Sequence, residues 1–218
     1  VRYLSGNVTD GHVNIFMEDA GHCTFQTILE KKEEFDLESI KRRIIWTGYS
    51  LLKALEAMCS FRISHGDIKP ANILIDRNGD VRLCDFGLAR EIPADQNFIC
   101  DIYFTPFYAS PEVILKRTRY MNSDIWSLAS SLYPLYHNYE LIYGSCKKFY
   151  QLESCHRCRQ EIPIRYEDKH LETYFCRSIV RDHSERAEHI ALLKLPLFTE
   201  NSELVPGNSQ SKSPFARN

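Results

Sequence analysis

Asp67, Lys69, Asn72 and Asp85 are side chains able to do chemistry, and they fall within one short stretch of a 218-residue chain. The first three stand in Ser-His-Gly-Asp-Ile-Lys-Pro-Ala-Asn-Ile-Leu-Ile, residues 64–75, and Asp85 opens Asp-Phe-Gly. A carboxylate at Asp67 can accept or orient the proton of an attacking hydroxyl. An ammonium at Lys69 can neutralise charge that develops on a transferred group. The amide oxygen of Asn72 and the carboxylate of Asp85 are hard oxygen donors suited to Mg²⁺. Phosphoryl transfer asks for this set, because it needs in-line geometry, metal-bound phosphates and a carboxylate beside the hydroxyl more than covalent help. Taken singly, each residue reads as a surface Asp or Asn that caps a turn.

The elements that must position them are legible around the stretch. Asn-Ile-Leu-Ile-Asp and Asp-Val-Arg-Leu-Cys are short β-type runs separated by Arg-Asn-Gly, a hairpin signature. Such a hairpin brings Asn72 and Asp85 to the same end of two paired strands. Upstream, Leu37, Ile40, Ile44, Leu51, Leu52, Leu55 and Met58 recur at helical spacing behind a candidate N-cap, Asp36. The helix predicted over 36 to about 61 is roughly 40 Å long at about 1.5 Å per residue, a scaffold more than a surface element. Residues 13–17 form a strand candidate, and 85–112 reads as loop. Ile125, Leu128, Ala129 and Leu132 mark a second apolar helix that Pro134 should end or kink. The region 144–183 is charged and mixed, with a helix expected in Leu-Glu-Thr-Tyr-Phe-Cys-Arg-Ser-Ile-Val. The polar stretch from Glu200 onward has no period and is expected to be disordered.

Composition bounds the partners. A hydrophobic fraction of 44%, a charged fraction of 26% and a net charge of −2 describe an ordinary globular chain with no call for nucleic acid or anionic lipid. No apolar run approaches the roughly 20 residues that span a bilayer, so no membrane association is expected. Eight cysteines in a chain with so rich a core point to a reducing compartment, cytosol or nucleus, rather than a disulfide scaffold. Cys155 and Cys158, with His156 between and Cys146 nearby, supply half of a usual zinc motif and read as incidental thiols. Oligomeric state leaves no trace.

The runs His-Gly-Asp-Ile-Lys-Pro-Ala-Asn, Asp-Phe-Gly-Leu-Ala-Arg, Thr-Pro-Phe-Tyr-Ala-Ser-Pro-Glu and Ser-Asp-Ile-Trp-Ser-Leu-Ala occur in the order and near-spacing of the C-lobe of eukaryotic protein kinases, which this chain resembles. The resemblance implies an α+β, protein-kinase-like fold with a mostly helical C-lobe and only the last strands of the N-lobe. Residues 1–20 would be the N-lobe remnant and hinge, 21–199 the C-lobe and 200–218 the tail. It implies ATP and Mg²⁺ as cofactors and protein substrates as partners. Asp67 would be the catalytic base, Lys69 the phosphate-neutralising lysine, and Asn72 and Asp85 the metal ligands. Thr105 would bond back to Asp67, Glu112 would pair with Arg186, and Asp124 would cap the backbone of the catalytic loop. At the front, Val-Asn-Ile-Phe-Met-Glu-Asp-Ala-Gly-His resembles the fifth strand and hinge. That makes Met17 the gatekeeper, puts the adenine on backbone groups of Glu18 and Ala20 with Leu74 beneath it, and turns Cys84 toward the nucleotide. His65 reads as a packed structural histidine. Lys69 within Asp-Ile-Lys-Pro-Ala-Asn is the form typical of serine/threonine kinases. Among branches, the NIMA-related kinases, with mitotic and centrosomal roles, are the most similar in pattern over most of residues 1–198.

The departures matter as much. Gly66 takes the place of the arginine that usually receives a phosphate from the activation segment, and residues 88–104 contain no serine or threonine. Asp101 stands four before Thr105, near where NIMA-like kinases often carry a phosphorylated threonine. Both changes imply that the usual phosphate switch is absent. Phe104 replaces a familiar glycine, which would stiffen or misplace the neighbouring segment. Val-Arg-Tyr-Leu-Ser-Gly resembles the fourth strand of the small lobe, so the sequence holds no glycine-rich loop and no third-strand lysine. The expectation is a serine/threonine kinase fragment that is inactive or nearly so by itself, against the alternative of a pseudokinase or interaction module. His-Gly-Asp with Asn five residues later also resembles aminoglycoside and choline kinases, but those lack the other three runs.

Overall fold

A computed structural model describes residues 3–100, 103–137, 164, 167–208 and 211–216. Two strands open it, β1 (Tyr3–Thr9) and β2 (His12–Met17), paired antiparallel with Val8 opposite Val13. Asp10 and Gly11 both hold positive φ at the turn, 51° and 77°, the geometry that matches strand twist in a two-residue hairpin. Next come β3 (Cys23–Thr24) and α1 (Phe25–Glu30), whose first turn is capped by the Thr24 hydroxyl.

The long helix is α2 (Leu37–Ser60), and its N-cap is Asp36, which accepts from the Ser39 amide at 2.7 Å. Ile44, Ile45, Leu51 and Leu52 are almost wholly buried on its inner face, whereas Leu37 stays exposed at the first turn. The strands β4 (Ile63–Ser64), β5 (Ile73–Ile75) and β6 (Val81–Leu83) follow, and β3, β5 and β6 make one three-stranded sheet. The hairpin is closed by Asp76, whose Oδ1 accepts from Asn78 and Asp80 amides, with Gly79 at φ 81°.

The stretch 85–112, expected as loop, is pinned at two points. β7 (Arg90–Glu91) pairs with β4, and β8 (Phe98–Cys100) pairs with β9 (Thr118–Tyr120). Each strand is too short to show a period. The helix α3 (Pro111–Lys116) lies between them in sequence, and α4 (Ser123–Leu132) follows β9. Pro134 falls in the 3₁₀ turn after α4, where it removes no α-helical hydrogen bond. The last helices are α5 (Lys169–Ser178), α6 (His189–Leu193) and α7 (Pro196–Thr199).

One apolar cluster joins α2 to α4, α5 and the C-terminal helices, with Trp126, Tyr133, Tyr174 and Phe175 fully buried. Tyr133 meets Phe175 edge-on at 5.7 Å, and Tyr174 meets Phe198 at 5.8 Å. No helix among the described residues is long and apolar enough to cross a membrane.

The described residues beyond Thr199, 200–208 and 211–216, correct the expectation of disorder. Val205 is buried, Ser202–Leu204 forms a 3₁₀ turn, and Ser213 donates to the Gly79 carbonyl at 2.7 Å. Phe215 packs against the core, with the Arg43 guanidinium 5.6 Å from its ring centroid. A few apolar anchors within a polar composition are enough to dock the segment. The cysteine group at 146, 155 and 158 with His156, and Asp101, lie outside the described residues.

Candidate active site

The Asp67 carboxylate is the centre of the site. Its Oδ1 accepts from the Thr105 hydroxyl at 2.5 Å, and its Oδ2 accepts from Lys69 Nζ at 2.7 Å and Asn72 Nδ2 at 3.1 Å. Lys69 also reaches Thr105 Oγ1 at 3.2 Å, and Asn72 donates to the Asp67 carbonyl at 2.9 Å. A 7%-exposed carboxylate with three donors is fixed in orientation and held against the cost of burial. Lys69 is a quarter exposed, so its ammonium faces both the carboxylate and the open side.

The loop that carries Asp67 is held from below by α4. Asp124, itself buried, accepts from Ser64 Oγ at 2.8 Å and from the amides of His65 at 2.7 Å and Gly66 at 2.9 Å. His65 locks the loop sideways. The Asp67 amide donates to His65 Nδ1 at 3.2 Å, so the proton sits on Nε2, which donates to the Cys84 carbonyl at 3.0 Å. Burial pushes the His65 pKa below its ordinary value, although Asp124, Asp67 and Asp85 all pull it the other way. A neutral, packed histidine is therefore what this fold requires, and the Phe86 ring lies edge-on to it at 4.8 Å.

The metal-ligand candidates meet at one end of the β5–β6 hairpin. Ile73 pairs with Leu83, and the Cys84 amide donates to the Asn72 carbonyl at 3.0 Å, which sets Asn72 beside Asp85. Asn72 gives its NH₂ to Asp67, which leaves Oδ1 as the free hard donor. Asp85 adopts the left-handed region (φ 61°, ψ 73°), with Oδ1 accepting from the Gly87 amide at 3.3 Å. Such a backbone costs about 1–2 kcal/mol in a non-glycine residue, and Asp tolerates it better than most. Both residues fit a divalent cation by chemistry and placement. Cys84 is half-buried, and burial followed by the neighbouring Asp85 charge pushes its thiol up, away from thiolate reactivity.

The residues expected at the hinge lie along the same hairpin. Glu18 pairs with Arg82 at 3.0 Å, and Ala20 is buried. The His22 amide donates to the Ile75 carbonyl at 2.7 Å, and Gly21 sits so close to Leu74 that an added Cβ would lie 3.3 Å from its methyls. Met17 is different. It is 55% exposed at the end of β2, and the structure does not enclose it in the site.

Further out, Glu112 and Arg186 form a buried two-pronged pair, at 2.8 and 2.9 Å, with Ser123 Oγ adding a third contact to Glu112 at 2.7 Å. Burial works to raise the Glu112 carboxyl, and Arg186 with Ser110 and Ser123 overcomes it, so the group ends below its ordinary value. Phe104 packs with Ala109, Val113 and Ile114 while the Arg117 guanidinium lies 4.9 Å from its ring centroid, and Thr105 still reaches Asp67. Sequence reasoning missed two contributors: Ser64, which opens the 64–75 stretch but belongs to none of the recognised runs, and Arg119, which as a lone arginine outside a motif carries no local signal.

A family profile described as protein kinase domain matches residues 1–197. A probable serine/threonine-protein kinase of Dictyostelium discoideum is 30% identical over 216 residues, 98% of this chain and 33% of its own length. Serine/threonine-protein kinase 36 of Mus musculus is 41% identical over 135 residues, 62% of this chain and 10% of its own. Serine/threonine-protein kinase fused of Drosophila melanogaster is 40% identical over 96 residues, 44% of this chain and 12% of its own. The chain thus spans a third or less of the length of these relatives. With a profile match over most of its length and a relative similar from end to end, the chain belongs to the protein kinase domain family.

Proposed function

We propose that this chain carries the phosphotransfer face of a serine/threonine protein kinase, acting on protein hydroxyls in the cytosol or nucleus. The observation that carries the reading is the Asp67 carboxylate, oriented at once by Thr105, Lys69 and Asn72. Asp67 orients the acceptor hydroxyl and takes its proton as the oxygen attacks. Lys69 places positive charge beside the same point, and Thr105 fixes the floor on which the acceptor residue rests. Asn72 Oδ1 and the Asp85 carboxylate would hold Mg²⁺ on the phosphates of ATP, and this bound group supplies the charge neutralisation that phosphoryl transfer requires. Leu74 would offer an apolar floor, and the backbone groups of Glu18 and Ala20 hydrogen-bond partners, for a flat base. Placement in the NIMA-related branch rests on the motif resemblance.

Residues 1–218 contain no glycine-rich loop over the phosphates and no third-strand lysine, so this polypeptide by itself is expected to transfer phosphate at background rate. A second reading is a kinase-fold interaction module without catalysis. The β1–β2 ribbon exposes Val8, Val13 and Ile15 at 71%, 73% and 62%, an apolar face that further strands of a small lobe would cover as well as a partner protein would.

The test uses the longest protein encoded around residues 1–218, Mg-ATP and a generic protein substrate. Transfer that falls about 100-fold or more in Asp67→Asn supports the kinase reading. Transfer unchanged by that substitution removes Asp67 as the base, and no transfer in the parent protein favours the module.

A further inference from the structure

Gly66, the residue just before Asp67, has φ +76° and sits under another residue's side chain. A Cβ at Gly66 would lie 1.7 Å from Nη1 of Arg119 and 2.0 Å from its Cζ. The space where a side chain of residue 66 would begin is therefore filled by a guanidinium that arrives from β9. Arg119 is 1% exposed. Its Nη1 donates to the Leu88 carbonyl at 2.7 Å. Its Nη2 donates to the Tyr103 carbonyl at 3.2 Å, with a longer contact to the Gly66 carbonyl at 3.5 Å.

These carbonyls belong to places that matter to the site. Leu88 and Tyr103 lie at the two ends of the 88–104 segment that contains no serine or threonine, and Thr105, two residues past Tyr103, donates to Asp67. Gly66 is itself tied to Asp124 through its amide. A planar fork with five donors can serve several carbonyls in fixed directions, which a flexible ammonium does less well. Gly66 and Arg119 thus form a matched pair, the one vacating the space that the other occupies.

We propose that Arg119 is a positioning residue that ties both ends of the 88–104 segment to the Asp67 loop, and so sets Thr105 on Asp67 with no phosphate on that segment. The proposal rests on the kinase reading for its consequence in catalysis, but not for its structural content. It also accounts for Gly66 as a requirement of the arginine fork rather than as a sign of decay.

Hydrogen exchange on polypeptide 1–218 tests the tie without any need for activity. In Arg119→Gln and Arg119→Lys, amides of residues 86–92 and 103–109 are expected to exchange about tenfold faster or more, with α2 and α4 unchanged. Unchanged exchange at those amides in both variants overturns the proposal. So does loss of protection spread equally over α2 and α4 in both, which makes Arg119 an ordinary support of the core. In the longer protein, if it is active, Arg119→Gln should lower kcat about tenfold while KM for ATP stays within about twofold. Activity abolished by a phosphatase that strips a phosphate from 88–105 would also overturn it. A parent protein that transfers no phosphate fails the kinase reading alone, and the exchange result still decides the tie.

Discussion

The Asp67 loop and the β1–β2 ribbon are built on opposite plans. In the loop, polar groups are buried and each is held by several partners, from α4 beneath, the β5–β6 hairpin beside it and Thr105 opposite. In the ribbon, apolar side chains are exposed and the strands hold chiefly each other. A buried polar cluster is costly unless complete, so its geometry is over-determined and stiff. An exposed apolar ribbon lacks the packing that would fix it, and its residues owe little to the rest of the fold. Function that needs angstrom placement belongs in the first kind of region. Surfaces that other strands or another chain must cover belong in the second.

The sharpest way to break the contrast is to open the framework that supports the loop. Glu112→Ala leaves Arg186 buried without its carboxylate and should cost about 3–5 kcal/mol, read from chemical denaturation. Acid attacks the same framework from another side. His65 is held neutral below the ordinary value of 6.5, so on acidification the unfolded chain takes up that proton first and stability falls from about pH 6.5 downward. Glu112, held below the ordinary value of 4.5, adds a second loss beneath that pH. Thermal unfolding from pH 8 down to about pH 2 should show both steps, and His65→Gln should flatten the upper one. Thr105→Val removes one donor to a charged acceptor while Lys69 and Asn72 remain, and should cost about 1.5–3 kcal/mol in the same denaturation assay. The smallest effect is expected in the ribbon. Val13→Thr, at a position 73% exposed, should change stability by no more than about 0.5 kcal/mol. A large loss there would show that the ribbon is part of the cooperative core and would erase the distinction drawn here.

Much of the scaffold was legible because its causes are local. Asp36 caps α2 where the run of Leu, Ile and Met positions begins to repeat, and capping and amphipathic spacing act within one or two turns. The Arg-Asn-Gly turn announced the β5–β6 hairpin, though Asp76 closes it, and that hairpin is what brings Asn72 next to Asp85. The pairing of Glu112 with Arg186 was legible only through family resemblance, since no short-range rule links residues 74 apart. Residues 200–208 and 211–216 were misread because average polarity hides single anchors such as Val205 and Phe215, whose burial depends on a surface built elsewhere.

What the sequence by itself determined was the chemistry available: a carboxylate, an ammonium and two hard-oxygen donors at spacings that motifs and local turns preserve. Only the tertiary structure decided how that chemistry is supported. Arg119 reaches carbonyls 16, 31 and 53 residues away in the chain, and its fork fits because Gly66 lacks a Cβ. Backbone carbonyls are the same at every residue, so no pattern of residue types can announce such a contact. Their positions in space, fixed by packing across the whole lobe, are what give this arginine its role.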